Sequence, residues 1–305
     1  MSNLILLFLC LFIGILIRYL PNFPKNTHTV LNQFVLFISL PSMALYYLPE
    51  IDLNWELIFP ASVAYIGFLM AAIIFIPLGR YLGWSKKLIG CLLLTAGLGN
   101  TSFVGIPVIQ ALFGDEGVKS LIIVDIPGTV VVLSSFGMLT AISCSNGKSN
   151  VKSILINLIK FPPFIAFLIG LMMLLSQLHF STEIKDVLGR LMATVSPLAL
   201  VSVGFQLKID KRSKHWSFLF LGLFYSLVIW PLICFLIYCL FFKQNGLPIK
   251  VSIMEAAMPP MITGAIVAAQ YGLKPRLANM MIGVGIPLSF LTMSLWYMFL
   301  EWYLN

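Results

Sequence analysis

Apolar stretches follow one another along almost the whole chain, each about as long as the 17–25 residues a helix needs to cross roughly 30 Å of hydrocarbon. Short polar or charged segments punctuate them. The pattern predicts ten membrane-spanning helices, at 3–20, 29–48, 57–79, 88–112, 119–142, 161–178, 187–207, 216–242, 250–270 and 277–300. One polar interval has a pattern of its own. In 145–160, Val151, Ile154, Leu155, Leu158 and Ile159 recur at helical spacing beside Lys148, Lys152 and Lys160, which suits a helix lying in the membrane interface. Phe161-Pro162-Pro163 closes that interval and divides the chain into two halves of similar length.

Composition agrees with lipid as the surrounding medium: 60% of the 305 residues are hydrophobic and 10% charged, against about a quarter charged in a soluble domain. No interval is long enough for a soluble domain. The net charge of +8 comes from short clusters between apolar runs and forms no continuous basic face, so nucleic acid is not an expected partner. The five cysteines lack metal or redox spacing and read as reduced packing residues. The first apolar run, Leu4 to Leu20, has no basic leader and no small-residue cleavage site, so it reads as a retained helix.

Charge then supplies an orientation. Fourteen of the basic residues fall in alternate loops, at Arg18 and Lys25; Arg80, Lys86 and Lys87; Lys148, Lys152 and Lys160; Lys208, Lys211, Arg212 and Lys214; and Lys274 and Arg276. The opposite loops hold five, Lys119, Lys185, Arg190, Lys243 and Lys250, beside most of the acids. Basic residues near span ends are retained in the cytoplasm, which predicts a multi-pass protein of the cell membrane with both termini outside.

The halves resemble each other in order. Phe12-Ile13-Gly14-Ile15 matches Leu168-Ile169-Gly170-Leu171, Pro41 lies within two residues of the equivalent of Pro197, Phe113-Gly114 matches Tyr271-Gly272, and Ile126-Pro127 matches Ile286-Pro287. An odd number of spans per copy makes the copies enter the membrane from opposite sides. The expected fold is therefore all-α and integral to the membrane: a first inverted repeat over 1–143, an amphipathic linker over 144–160 and a second repeat over 161–305.

The fourth span reads Gly97-Leu98-Gly99-Asn100-Thr101-Ser102-Phe103-Val104-Gly105-Ile106-Pro107. Glycine permits unusual backbone angles and proline removes a donor, so this helix is expected to break. Irregular backbone at membrane depth is tolerated only inside protein or beside a wet cavity. The ninth span carries Met258-Pro259-Pro260-Met261-Ile262-Thr263-Gly264, where adjacent prolines make a second break. Paired interruptions at corresponding places of inverted halves point to a transport site, and the half-helices beyond them turn positive N-termini toward an anion. Gly99, Asn100, Thr101, Ser102, Gly105, Pro107, Pro259, Pro260 and Thr263 are the candidate substrate residues. A simple proline kink with packing glycines is the structural alternative.

Together with the second span, LNQFVLFISLPSMALYYL, the runs GNTSFVGIPVIQALFGDEG and MPPMITGAIVAAQYGLKP resemble the auxin efflux carrier family, which includes plant PIN-type carriers and bacterial malate and malonate permeases. The resemblance covers essentially the whole chain. It implies a fold similar to bile-acid symporters and sodium/proton antiporters, with helices 4 and 9 crossing at their breaks. It further implies a transport domain of helices 3–5 and 8–10 that moves, elevator-fashion, against a scaffold of helices 1, 2, 6 and 7, and it leaves room for a homodimer through the scaffold. Asn100, Thr101 and Pro107 match the first crossover and Pro259 the second; Thr263 stands where bacterial relatives often have Asn, and Pro260 where plant carriers have Gln.

The implied function is a secondary active transporter, a permease of a small organic anion such as malate, malonate or an auxin-like carboxylate. The alternative is a ligand-gated channel or a receptor using the same pocket. Two intramembrane acids, Asp125 and Glu255, are candidates for binding a coupling proton or cation; the competing reading is pairing with Arg190, Lys119 or Lys250, or a place near the interface. Asn32, Gln33 and Gln206 either line an inner pathway or bond between helices. His28, His179 and His215 fall in separate loops, and the chain shows no metal cluster, nucleotide loop or catalytic serine motif, so no cofactor and no enzymatic role is expected.

Overall fold

The computed structural model describes residues 2–51, 54–145, 160–207 and 216–304. Within them the chain is helical, and no strand occurs among the described residues apart from one isolated backbone bridge. The elements are α1 (Ser2–Ile17), α2 (Thr27–Glu50), α3 (Trp55–Tyr81), α4 (Lys86–Ala96), α5 (Thr101–Cys144), α6 (Pro162–Leu175), α7 (Thr182–Gln206), α8 (Trp216–Phe241), α9 (Leu247–Ala256), α10 (Ile262–Gln270) and α11 (Pro275–Leu304). Six of them, α2, α3, α5, α7, α8 and α11, are long and apolar enough to cross a membrane, and Ile5–Ile17 and Pro162–Leu175 are shorter apolar helices. Many large apolar side chains on their outer faces are exposed, Phe220 and Leu291 among them, as lipid-facing residues are. Most of the expected interfacial helix and the basic run from Lys208 to Lys214 lie outside the described residues.

Proline shapes several of these helices in the same way. Val35–Ser39, Thr101–Gly105 and Tyr225–Ile229 are wound as π-helix, and each ends two residues before a proline, Pro41, Pro107 and Pro231. A proline has no N–H for the carbonyl four residues back, and its ring collides with that carbonyl. Widening the preceding turn relieves the clash and keeps the helix continuous. Pro107 therefore lies inside a helix. The first break is shorter than expected and sits at 97–100, and the second covers 257–261, leaving Thr263 and Gly264 in α10. The expected loop after the fourth span shrinks to one residue: Gly114 takes a positive φ of 64°, which a glycine adopts without strain, and α5 bends there.

Small residues bring helices into backbone contact, the usual device where no water drives association. On α1, a methyl group at Gly14 would sit 2.9 Å from the Cα of Gly204 on α7. On α6, a methyl at Gly170 would sit 2.9 Å from the Cβ of Leu48 and 3.4 Å from the carbonyl oxygen of Ala44, both on α2. The same 156 residues separate Gly14 from Gly170 and Leu48 from Gly204. α3 is tied to α8 by buried donors: Tyr225 Oη donates to the Gly67 carbonyl at 2.5 Å, Trp230 Nε1 to that of Val63 at 3.2 Å and Tyr238 Oη to that of Phe59 at 3.1 Å. The Trp230 ring lies directly on Gly67, where any side chain would collide with it.

Candidate functional site

The two breaks meet. Asn100 N–H donates to the Pro259 carbonyl at 2.8 Å, Met261 N–H donates to the Leu98 carbonyl at 3.0 Å, and Gly99 and Pro260 face each other as an antiparallel bridge. Each break thus satisfies backbone groups that the other has freed, at a depth where lipid could not. The two bonds are reciprocal, since Asn100 and Leu98 of one segment play the parts that Met261 and Pro259 play in the other. Gly99 allows this approach: a methyl there would lie 3.3 Å from the Glu255 carbonyl oxygen and 3.3 Å from the Trp230 ring.

Asn100 ends the first break as the cap of α5, with Oδ1 accepting from Phe103 N–H at 3.2 Å. Its residue is buried, and its Nδ2 has no hydrogen-bond partner. An amide left so is costly, and a ligand acceptor is the group that would complete it. A cavity of about 230 Å³ lies beside it, bordered by Asn100, Ser102, Phe103, Met261 and Thr263 and closed by apolar residues of α2 and α5 such as Leu40 and Val130. Asn100, Ser102 and Thr263 are thus brought to one cavity, with Thr263 in the first turn of α10. Gly105, Pro107, Pro259 and Pro260 shape the backbone around it and do not border it.

Thr101 and Ser102 turn toward one of the two acids. Both hydroxyls donate to Asp125 Oδ1, at 2.5 and 2.7 Å, so the start of α5 is bonded to its far arm beyond the Gly114 bend. Glu255, near the end of α9, is fully buried, and neither of its carboxyl oxygens has a hydrogen-bond partner. Both oxygens of its carboxyl group point at Gly105, where a methyl would lie 2.6 Å from each. The basic partners considered from the sequence are engaged elsewhere or exposed: Lys119 pairs with Glu116 at 2.8 Å, Lys250 with Glu301 at 2.9 Å, and Arg190 is exposed. Both acids are buried inside the protein.

A family model described as membrane transport protein matches residues 1–297. The chain belongs to that family, the auxin efflux carriers. Two relatives among the auxin efflux carriers and their kin span nearly the whole of it. One is an uncharacterised transporter of Methanothermobacter thermautotrophicus, 29% identical over 93% of each chain. The other, an uncharacterised transporter of Methanocaldococcus jannaschii, is 26% identical over 89% of this chain and 90% of its own. Membership makes this auxin efflux carrier homologue a transporter, and an enzymatic role is not indicated.

This family member has a second feature that no sequence motif marks. A larger cavity, about 660 Å³, opens between the α1–α2 connection, the end of α7, and α10 with α11. Arg18, Lys25, His28 and Arg276 border it together with Gln206 and Asn279, and among the described residues no acid does. Arg18 is fixed by donating to the Leu207 carbonyl at 2.5 Å, and His28 stacks on Phe205. The excess of basic residues in one set of loops was the available signal, since Arg18, Lys25 and Arg276 belong to it. Asn32 proves to be a bonding residue, accepting from Ser202 Oγ at 2.5 Å, while Gln206 both donates to Ser202 and borders the cavity.

Proposed function

We propose that this transporter is a secondary active carrier of a small organic anion, a carboxylate such as malate, malonate or an auxin-like acid, bound where the two breaks cross. The observation that carries the reading is the buried Asn100 Nδ2, a hydrogen-bond donor without a partner, on a residue that borders a cavity also reached by the first turn of α10. Helix N-termini and amide donors at membrane depth favour an anion. Thr263 supplies a further polar contact from the second segment, while the Ser102 hydroxyl borders the cavity with its proton donated to Asp125.

Inverted repeats of five helices each are the architecture we assign. Two exchanged relationships support it: the packing of Gly14 of α1 against α7 and of Gly170 of α6 against α2, and the reciprocal bonds Asn100 to Pro259 and Met261 to Leu98. In this reading α1, α2, α6 and α7 form a scaffold, and α3 to α5 with α8 to α11 form the moving domain that carries the crossover. The basic cavity, bordered by scaffold residues on one side and by α10 and α11 on the other, supports an elevator displacement between them. We place the carrier in the cell membrane, with the basic cavity on the cytoplasmic side as its charge asymmetry favours.

The test is counterflow. Purified protein in liposomes loaded with unlabelled malate, malonate or an indole carboxylate is expected to accumulate the labelled form of its own substrate, and Asn100→Ala to lose that accumulation. If no carboxylate moves under any ion gradient, or if unitary current steps far above carrier turnover appear, the reading fails.

A further inference from the structure

Glu255 has an arrangement that anion binding alone does not explain. It is fully buried, both oxygens lack partners, and it borders neither cavity at the crossover. An ionised carboxylate so placed is shut off from bulk solvent and has neither a donor nor a cation among the described residues to offset its desolvation, which costs on the order of several kcal/mol. The oxygen edge of the carboxyl group meets Gly105, where an added methyl would lie 2.6 Å from both oxygens, so backbone occupies the side on which a metal ion would be held by the two. A proton needs no such space.

Its surroundings limit what else could act on it. Asp125 of α5 is close enough to interact electrostatically with Glu255, and no other charged group among the described residues contributes. α8, which packs on α9, carries the titratable groups Cys234 and Tyr238, and the Tyr238 hydroxyl is shared between Ser62 and Phe59 of α3. α3 also brings Tyr65, whose hydroxyl donates to the Pro127 carbonyl at 2.9 Å. From α11 comes Glu301, already paired with Lys250 one end of α9 away. Asp125, in contrast to Glu255, is held by two hydroxyl donors, as an ionised carboxylate would be.

We propose that Glu255 is the proton-carrying group of the carrier, and that Asp125 makes its proton and the anion at Asn100 bind together. The inference rests on the crossover being the anion site. With Glu255 protonated, the crossover holds one negative charge, that of Asp125, and admits an anion. When Glu255 gives its proton to water, the crossover holds two negative charges and repels the anion. Thr101 and Ser102 place Asp125 beside Asn100, so the charge that responds to Glu255 lies next to the ligand donor. Linkage makes the effect reciprocal: a bound anion strengthens retention of the proton by the factor by which the proton strengthens anion binding. One proton enters and leaves with each anion, so a monoanion moves without net charge and a dianion carries one negative charge across.

Infrared difference spectra of the purified full chain, wild type against Glu255→Gln, test the proton without any substrate. At neutral pH the wild type is expected to show the carbonyl band of a protonated buried carboxyl, missing from Glu255→Gln; its absence overturns the inference. Calorimetric titration with malonate in sodium-free buffers tests the linkage. Wild-type affinity is expected to fall about tenfold per pH unit above the midpoint of that band, with one proton taken up per malonate there. Glu255→Gln should bind with a flat pH profile and no uptake. Affinity that follows sodium at fixed pH, with no proton taken up, overturns the proposal. If the band is present and no carboxylate binds at any pH, the anion site is refuted while the proton on Glu255 stands.

Discussion

Asn100→Asp separates the two jobs that Asn100 performs. The side-chain oxygen that caps α5 through Phe103 N–H survives this substitution, whereas the unpartnered Nδ2 becomes an acceptor. Asn100→Ala, which removes the cap, is expected to cost about 1 kcal/mol of stability, and Asn100→Asp, which keeps the cap but buries a carboxylate near Asp125, to cost more, on the order of several kcal/mol. Binding should respond in the same order. Loss of one hydrogen bond to a charged ligand is worth about 1.5–3 kcal/mol, roughly a 10- to 150-fold weakening in Asn100→Ala. Asn100→Asp loses the same bond and adds a negative charge beside the anion in a cavity with little water, so its loss must be larger than that of the alanine variant. Carboxylate affinity by calorimetry and melting by tryptophan fluorescence, measured on the three proteins in one detergent, give both orders. Wild-type affinity in Asn100→Asp, or an aspartate variant that binds better than alanine, refutes the assignment of Nδ2 as the ligand donor.

Three further outcomes follow from the packing and the charges. Gly204→Leu drives a side chain into the backbone of α1 at Leu11 and Gly14; it should cost about 1–3 kcal/mol, read as a lowered melting temperature, with carboxylate affinity unchanged in the protein that remains folded. Trp230→Ala empties the space over Gly67 and leaves the Val63 carbonyl without its donor; a loss of about 3–5 kcal/mol is expected in denaturant titration. Arg276→Gln removes one of the cations around the larger cavity; initial uptake at low ionic strength should fall several-fold, and the difference from wild type should shrink as salt screens the field. An equal defect at high salt would mean that Arg276 acts by contact and not by steering.

Much of the helical plan is legible in hydropathy because lipid imposes one length and one polarity on every crossing element. The expected span 216–242 is observed as Trp216–Phe241 and the span 57–79 as Trp55–Tyr81. Proline positions were harder to read. The same residue type marks a true break at Pro259 and Pro260 but only a widened turn ahead of Pro41, Pro107 and Pro231, and the difference lies in whether neighbouring backbone can take up the freed groups. At the crossover another broken segment does so. Along α2 and α8 the helix itself does so by winding more loosely.

The candidate site shows the same division. Asn100 and the proline pair were visible because polar and helix-breaking residues inside an apolar span are expensive. That Thr101 and Ser102 face Asp125, and that Glu255 lies on Gly105, depend on the Gly114 bend and on the contact between breaks, neither of which any local pattern encodes. The basic cavity is assembled from loop and helix ends far apart in sequence, each unremarkable alone. Charge asymmetry between loops hinted at its members but served only to orient the chain.

The central claim, that an anion binds where the two broken helices cross, is tested most directly by determining the structure of the full-length protein with its transported carboxylate bound. The account predicts ligand density in the smaller cavity, with a carboxylate oxygen within hydrogen-bond distance of Asn100 Nδ2 and the other end toward Thr263. Density confined to the basic cavity around Arg18 and Arg276, with Asn100 Nδ2 still unpartnered, would contradict it.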